Sequence, residues 1–310
     1  EKRQKRYKKY IDTKMYEIDQ VMEKQKQTLL ENLVPAEKCA EIIVNKDSRL
    51  WERKAEDFDF LNVRLGTGDV PLDAEIVYPE EKFTMEDDNL MDILNQVANK
   101  SKTIKEAPIS LSLFQKNVSA VIVKDNTVMN EFLKSIIMQL IAFQSYEDLK
   151  LVFLLKNSHH ANWDYVKKLP HVWDNTKQFR FFADSYSDML EISKYLEEEF
   201  QNRKAISSNS EYERESFSPY YLIITDDPER VKNLNGIIEI FKAKKNLGFS
   251  ALYITDNIVE LPNECKTFIN IEDSQKGELF ESEISSKSVK QFVPDLRSEE
   301  HTSELQSRLH

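Results

Sequence analysis

A strand, a short connection and a helix follow one another between Val118 and Phe143, and this unit constrains the fold more than any other stretch. Residues 118–123 form an apolar, β-branched run bounded by polar residues, which predicts a buried strand. Asp125, Asn126 and Thr127 can cap the helix that follows. The apolar residues of that helix cover most of its circumference, which predicts a place inside a layered core. They are Val128, Met129, Phe132, Leu133, Ile136, Ile137, Leu140 and Ile141.

The residues that bind phosphate in a P-loop are missing from this unit. A phosphate-binding P-loop needs G-x-x-x-x-G-K-[ST], because glycine lets backbone N–H groups turn toward the phosphates and lysine neutralises their charge. The connection here reads Lys124, Asp125, Asn126 and Thr127, and none of the chain's 5 glycines lies in it. A carboxylate would repel a triphosphate at a helix N-terminus, where anions otherwise bind. The sequence therefore predicts a degenerate nucleotide site.

Charge and cysteine content narrow the class of protein. The 310-residue chain has a net charge of -11, which argues against broad nucleic-acid binding because phosphate neutralisation needs a concentrated basic face. Its 2 cysteines, Cys39 and Cys265, favour unpaired thiols in a reducing cytosol over a disulfide framework. No apolar run approaches the roughly 18 residues of a membrane span.

Residues 1–35 are predicted to form a basic helix or stalk. Most of the first ten residues are basic, and they lead into an amphipathic helix that Pro35 ends or interrupts. A second helix is expected through Cys39 and Ile43. The basic start is either a solvated helix end or a juxtamembrane segment that follows a transmembrane helix.

Residues 57–78 are predicted to form a β-hairpin. Apolar residues alternate on either side of a one-residue phase slip, which indicates a strand with a bulge. Gly66–Asp69 supplies turn chemistry before Val70–Tyr78, and a turn is favoured over phosphate binding for Gly66 and Gly68 because Gly-x-Gly alone is a weak signal. The alternating residues are Phe58 and Phe60, then Leu61, Val63 and Leu65.

From Val118 onward, predicted strands and helices alternate, as a parallel sheet in a three-layer α/β fold requires. A core-facing helix is expected at residues 189–200, and a further helix is expected near residues 229–244. The further predicted strands are Leu149–Leu155, Phe179–Phe182, Tyr220–Thr225, Phe249–Thr255 and a final edge strand at Lys266–Ile271.

Polar residues at strand ends are the candidate chemical groups. Asp226 and Asp227 close an apolar strand in the manner of a Walker B motif, whose carboxylates serve Mg²⁺. Because a phosphate-binding loop is missing, a loop-capping role for the pair is favoured. Thr255–Asn257 occupies the place of a sensor residue, although it is equally typical of a turn.

An insertion between the second and third core strands contains two histidines. His159 and His160 could ligate a metal with Asp164, but they lack helical spacing and a convincing third ligand, so no metal site is predicted. Trp163 and His171 are expected to fix the insertion onto the domain.

Three motifs resemble those of one family. Arg49–Arg53, Asp57–Gly68 and Lys167–His171 together look like the membrane-anchored FtsK/SpoIIIE-type ATPases of type VII secretion systems, the EssC, EccC and YukB group. The resemblance implies a RecA-like fold and identifies residues 36–296 with the degenerate ATPase-like domain nearest the membrane. The motif residues that it marks as structural are Arg49, Trp51, Glu52, Arg53, Gly66, Gly68, Trp163, Pro170 and His171.

The resemblance also implies a biological setting. It predicts a hexamer at the cytoplasmic face of the bacterial membrane, with secretion-system membrane components and secreted proteins as partners and no nucleic acid. ATP and Mg²⁺ are expected in the parent protein rather than in this fragment. Two alternatives stay open: an NTPase in which Lys124 supplies the phosphate charge and Asp226 or Asp227 the Mg²⁺ site, and a DNA translocase module.

The ends of the chain carry a separate expectation. Residues 297–310 resemble a translated sequencing adapter and are excluded from fold and function. Transmembrane helices are expected upstream, and ATPase domains with intact Walker A loops are expected downstream of about Leu296.

Overall fold

The computed structural model describes residues 2–74, 102–156, 163–207, 217–282 and 289–296. The α-helices are α1 (Lys2–Asn32), α2 (Ala36–Asn45), α3 (Asn126–Phe143), α4 (Tyr186–Ser207), α5 (Pro228–Val231) and α6 (Asn235–Lys242). The strands are β1 (Asn62–Pro71), β2 (Thr103–Ser112), β3 (Val118–Val123), β4 (Leu149–Leu154), β5 (Phe182–Ala183), β6 (Tyr220–Thr225), β7 (Phe249–Thr255), β8 (Thr267–Asp273), β9 (Lys276–Glu281) and β10 (Lys290–Pro294). Short 3₁₀ helices lie at Val166–Lys168, Pro170–Val172 and Ile258–Glu260.

The chain divides into two compact units, one of Glu1–Leu33 with Thr67–Ile109 and the other of Val34–Gly66 with Ser110–His310. In the first unit, Gln25 joins α1 to the end of β1: its Nε2 donates to the Pro71 carbonyl (3.2 Å), and its Oε1 accepts from the Asp73 N–H (2.9 Å). Among the described residues, every helix falls short of the length and apolar character that a membrane span requires.

The strands lie in the order β2-β1-β10-β9-β8-β3-β7-β6-β4-β5. The six strands from β8 to β5 are all parallel, whereas β8, β9 and β10 pair antiparallel. Because parallel crossovers are right-handed, α3 covers one face of the sheet, and α4 and α6 cover the other. The packing agrees, since α2 contacts α3 and α4 contacts α6. This is the predicted α/β fold of RecA-like type.

The central strands form the core. Every residue of β4, β6 and β7 is buried, as expected for parallel strands that helices cover on both faces. The predicted strands at 118–123, 149–155, 220–225 and 249–255 are confirmed within a residue, and α3 extends two residues beyond its apolar pattern at each end. The helix break at Pro35 is also confirmed, because α1 ends at Asn32 and α2 begins at Ala36.

The predicted bulged strand from residue 57 is wrong. Residues 57–61 form turns, and β1 begins only at Asn62. Leu61 has a φ of 55°, and this left-handed residue lets Phe60 and Leu61 both point into the core while Phe58 is 91% exposed. The phase slip in the sequence therefore marks a turn before the strand.

The predicted hairpin at 57–78 is also wrong, because β1 runs without interruption through Gly66, Gly68 and Asp69 to Pro71. A Cβ on Gly66 would lie 2.0 Å from the carbonyl oxygen of Val293 in β10. The glycine therefore permits a close approach of two backbones instead of a turn. Residues 75–78 of the predicted second strand lie outside the described residues.

Three further elements differ from the prediction. The supposed edge strand at 266–271 is β8, which lies inside the sheet between β3 and β9. The third core strand is reduced to Phe182–Ala183. The single helix expected at 229–244 is two helices, α5 and α6, with residues 232–234 between them. The start of α6 approaches α4 so closely that a Cβ on Gly236 would lie 2.5 Å from the Ser193 carbonyl oxygen.

Candidate functional site

In an open α/β sheet, ligands bind outside the carboxyl ends of the parallel strands. At this edge, β3 ends before Lys124, β6 ends before Asp226 and β7 ends with Thr255. Strand β7 lies between β3 and β6, so the edge has the strand arrangement in which the Walker A and Walker B positions face one site. The side chains at these positions decide whether a nucleotide can be held.

The connection from β3 to α3 is too short to wrap around a phosphate. Val123 is the last residue of β3 and Asn126 the first of α3, whereas a P-loop motif spans roughly eight residues. Asp125 caps the helix: its Oδ1 accepts hydrogen bonds from the N–H groups of Thr127 (2.8 Å) and Val128 (3.0 Å). The N–H groups that would bind an anion are therefore occupied by a carboxylate of the chain itself.

Both carboxylates after β6 are buried and have structural partners. Asp226 Oδ1 accepts a hydrogen bond of 2.6 Å from the backbone N–H of Lys156, which follows the neighbouring strand β4. Asp227 caps α5 and lies against Arg230, with 3.3 Å between Asp227 Oδ2 and Arg230 Nε. That contact is an ion pair without hydrogen-bond geometry, since Asp227 Oδ2 has no hydrogen-bond partner among the described residues. The pair has the geometry of the loop-capping alternative.

The strand end at Thr255 is an ordinary turn. Its Oγ1 accepts a hydrogen bond from the Asn257 N–H (3.0 Å) and lies 3.2 Å from Glu260 Oε2. Asn257 in turn begins the 3₁₀ helix at Ile258–Glu260. The hydroxyl is thus held within its own loop.

A cavity of about 430 Å³ lies away from this edge. It opens between α6 and the connection from β7 to β8, over Val118 and Tyr253. A parallel crossover usually carries a helix, but residues 256–266 carry only one 3₁₀ turn, so a loop covers this part of the sheet face, and Val118 and Tyr253 beneath it are buried. Neither residues 124–127 nor the Asp226–Asp227 pair lines the cavity.

The described residues contain no group of three or more histidine, cysteine, aspartate or glutamate side chains that could hold a metal. His159 and His160 lie outside the described residues. Asp164, the third residue of that candidate metal group, forms an exposed ion pair with Lys167 (2.9 Å).

The motif Arg49–Arg53 closes the opposite end of α3. The Trp51 N–H donates to the carbonyl of Ala142 (2.8 Å), and the Trp51 Nε1–H donates to that of Ile141 (3.1 Å). The Arg53 N–H donates to the Phe143 carbonyl (3.0 Å). Three terminal carbonyls of the helix, which have no partner within it, are thus satisfied by residues about 90 positions earlier in the chain.

Side chains of the same motif pack on this helix end. The Arg53 guanidinium is 4.0 Å from the centre of the Phe143 ring, and its Nε forms an ion pair of 2.9 Å with Asp59. Arg49 binds Glu52 (3.0 Å) and lies farther out over the same ring. Two cations at the C-terminal end of α3 also oppose the negative end of its dipole.

His171 and Trp163 hold the insertion after β4. His171 lies in the 3₁₀ helix that Pro170 begins, and its Nε2 donates to the Gln144 carbonyl (2.9 Å), one residue beyond α3. Burial, together with the positive charge of Lys150, lowers the pKa of His171 to about 4, so the ring is neutral at pH 7. The Trp163 ring is buried, with its centre 5.5 Å from that of Phe153.

Sequence reasoning missed a polar clamp between α3 and β1. Gln139 Oε1 accepts from the Arg64 N–H (2.7 Å), and its Nε2 donates to the Arg64 carbonyl (2.9 Å). The Arg64 side chain pairs with Asp295 beyond β10, with 2.6 Å between Nε and Oδ2. A lone glutamine in the apolar part of α3 was the available signal, since a buried amide needs backbone partners.

Comparison with curated proteins finds relatives along most of the chain. A scan against models of known protein families finds no match. The chain is 25% identical over 283 residues to the ESX secretion system protein EccC of Geobacillus thermodenitrificans, covering 90% of this chain and 19% of that protein. It is 27% identical to YukB of Bacillus subtilis, with 90% and 18% covered, and 25% identical to EssC of Staphylococcus aureus, with 95% and 20% covered.

Comparison with solved structures finds the same fold. The cytoplasmic domain of the type VII secretion ATPase EccC from Thermomonospora curvata matches with a TM-score of 0.51 at 13% identity, covering 80% of this chain and 30% of that one. ATPases 2 and 3 of EssC from Geobacillus thermodenitrificans match with the same TM-score and identity, covering 84% and 50%. The chain spans about a fifth of the length of the curated relatives it matches. Its homologues are the EccC, YukB and EssC type VII secretion ATPases of the FtsK/SpoIIIE type, which align with about 90% of its length.

Proposed function

We propose that residues 36–296 are a non-hydrolysing ATPase-like domain of a type VII secretion motor. The observation that carries this proposal is the β3–α3 connection, in which Asp125 occupies the N–H groups of Thr127 and Val128. A nucleotide would have to displace this carboxylate and would find no glycine loop in its place. The negative charge of Asp125 also repels the phosphates.

The strand-end carboxylates support the same proposal. A Mg²⁺ site needs oxygen atoms that are free to bind the ion and its waters. Asp226 instead accepts the Lys156 N–H, and Asp227 caps α5. The second oxygen of Asp227, Oδ2, faces the positive charge of Arg230 at 3.3 Å, and this charge opposes a cation there. In this proposal, both side chains shape the loops after β4 and β6, and neither acts in hydrolysis.

Such a domain acts mechanically in the parent protein. It links membrane components to downstream ATPase domains, in which ATP and Mg²⁺ are bound and hydrolysed. The names of the relatives, which describe secretion-system proteins, support this setting. We place the domain at the cytoplasmic face of the bacterial membrane, in a homo-oligomer that handles secreted proteins, and sedimentation of the full-length parent tests the oligomer.

Substitutions at the two degenerate positions test the silent role in the full-length parent protein. Asp226→Asn keeps an oxygen that can accept the Lys156 N–H but removes the charge that a Mg²⁺ site needs. Lys124→Ala removes the one cation in the short connection, and Lys168→Ala, at another exposed lysine, serves as the matched control. ATP hydrolysis and secretion should stay at the control level in each variant.

A loss of activity in either variant would contradict the proposal. A folded Asp226→Asn or Lys124→Ala variant that loses hydrolysis or secretion, while Lys168→Ala keeps both, would assign catalysis to this domain. That result would favour the NTPase alternative with an unconventional phosphate loop. Circular dichroism of each variant separates a loss of folding from a loss of chemistry.

A further inference from the structure

The beginning of α1 concentrates positive charge in a chain that is otherwise acidic. Residues 1–11 contain six basic side chains and one acidic one, although the whole chain carries a net charge of -11. Lys5, Arg6, Lys8 and Lys9 are exposed on the helix. No ion pair joins any of these four to another described residue. Farther along α1, by contrast, Lys14 pairs with Glu17 at 2.7 Å.

Exposed aromatic rings accompany these charges. Tyr10 is 58% exposed and Tyr16 is 64% exposed, whereas Ile11 is buried. The helix therefore turns Ile11 toward the protein and leaves Lys8, Lys9 and Tyr10 to solvent. Lys14 lies 5.8 Å from the centre of the Tyr10 ring. Amphipathic tyrosine rings next to lysines are typical of segments at the headgroup level of a bilayer.

We infer that the first turns of α1 bind the surface of an anionic lipid bilayer. The four exposed cations interact with the headgroup phosphates, and Tyr10 and Tyr16 lie at the interface. Each lysine or arginine near an anionic surface strengthens binding roughly fivefold, so four together can hold the helix there. Nucleic acid is the competing polyanion, but the acidic remainder of the chain opposes its close approach.

This inference deepens the proposed membrane-proximal position by naming the lipid chemistry that the helix meets. It makes no use of the nucleotide site. Lipid binding is measured without ATP, so a failure here leaves the proposal of a silent ATPase-like domain untouched. Conversely, nucleotide binding by the α/β part would leave the lipid inference untouched.

The test is cosedimentation of the full chain with lipid vesicles. The vesicles contain phosphatidylcholine alone or phosphatidylcholine with about one-third phosphatidylglycerol, a lipid with one negative charge. The variant carries Lys5→Gln, Arg6→Gln, Lys8→Gln and Lys9→Gln together. The matched control carries Lys168→Gln, Lys194→Gln, Lys242→Gln and Lys244→Gln, four exposed lysines of the second unit that give the same net charge.

We expect binding to the anionic vesicles that declines as salt is added, and little binding to neutral vesicles. The variant in α1 should bind the anionic vesicles about a hundredfold more weakly or worse. The control should stay within about threefold of the native chain, because its lysines are elsewhere. Replacement of Tyr10 and Tyr16 by serine should weaken binding by a smaller factor.

Three outcomes would overturn the inference. The first is equal binding to neutral and anionic vesicles, and the second is equal loss in the α1 variant and its control. The third is tighter binding to duplex DNA than to anionic vesicles, lost in the α1 variant, which would assign these cations to nucleic acid. Retained helical circular dichroism in the α1 variant confirms that any loss reflects charge.

Discussion

The two ends of α3 are closed in different ways. At the N-terminal end, a single side chain two positions after β3, that of Asp125, binds the N–H groups of Thr127 and Val128 at an exposed surface. At the C-terminal end, backbone and side-chain groups of Trp51 and Arg53 bind the last carbonyls, and His171 binds the next one. The first closure is local, and the second brings together segments distant in sequence.

The residues of the family motif and the position at which a nucleotide would bind thus lie at opposite ends of α3. The residues that carry the family resemblance gather at the C-terminal end of α3, where they cap a helix and fill space. The end at which a related ATPase would bind phosphate has only a helix cap. We therefore interpret the motif as a requirement of folding, and we expect substitutions at the two ends of α3 to differ in size and kind.

Removal of Arg53 should have the largest effect. Arg53→Met keeps much of the side-chain volume but removes the cation over Phe143 and leaves Asp59 without its partner. We expect a loss of about 3 kcal/mol in the free energy of unfolding, measured by urea denaturation, because a largely buried ion pair loses one member. Arg49→Met is the control on the same ring, and its more exposed pair with Glu52 predicts a loss below about 1 kcal/mol. Equal effects of the two would contradict the assignment of Arg53 as the buried anchor.

Acid should weaken the C-terminal closure through His171. The pKa of His171 is about 4 in the folded chain and about 6.5 in an unfolded one, so the unfolded state binds the proton first as pH falls. The contribution to stability is complete above pH of about 6.5 and is lost as pH falls toward 4, by up to about 3 kcal/mol. Urea midpoints at several pH values measure the loss.

His171→Gln is the matched variant for that pH series. Its amide can still donate to the Gln144 carbonyl, but it does not titrate. From pH 7 to pH 4, the native chain should lose more unfolding free energy than His171→Gln, so the native value minus the variant value should fall. An unchanged difference across this range would mean that another group causes the acid sensitivity.

Removal of the N-terminal cap of α3 should lower the free energy of unfolding by less than removal of Arg53 does. Asp125→Ala leaves two N–H groups of α3 to water, and a lost cap at an exposed helix end costs about 1 kcal/mol. Asp125→Asn should recover most of this loss, because its side-chain oxygen can still accept. Thermal unfolding of both variants checks the order, and a loss in Asp125→Ala as large as that in Arg53→Met would break the contrast between the two ends.

The smallest effect is expected at Lys124. Its side chain is exposed beside the cap, and we expect Lys124→Ala to change the free energy of unfolding by no more than about 0.5 kcal/mol. Urea denaturation beside the native chain measures this directly. A clear destabilisation would show that the lysine has a structural partner at this end of α3.

Local patterns predicted the core well, because a continuous apolar run such as Val118–Val123 has few alternatives to a buried parallel strand. They failed where a long-range contact decides the conformation. Gly66 is in a stretch whose residue types are typical of a turn. It nevertheless lies in a strand, because the backbone of Val293 passes against it. Strands β9 and β10 were missed, and so β8 was mistaken for an edge.

The same limit applies to the candidate site. The absence of a P-loop could be read directly from residues 124–127, since the motif is local. The capping role of Trp51 could not, because its partner carbonyl at Ile141 is 90 residues away and a helix end has no sequence signal for a distant donor. The burial of Asp226 against Lys156 likewise depends on the pairing of β4 with β6.

Calorimetric titration of the chain with Mg-ATP shows whether the β3–α3 connection can bind a nucleotide. We expect no saturable heat at micromolar nucleotide, either for the native chain or for Lys124→Ala, because Asp125 occupies the helix end and no loop replaces it. Saturable binding with a micromolar dissociation constant that Lys124→Ala abolishes, in a chain whose folding is unchanged, would contradict this expectation.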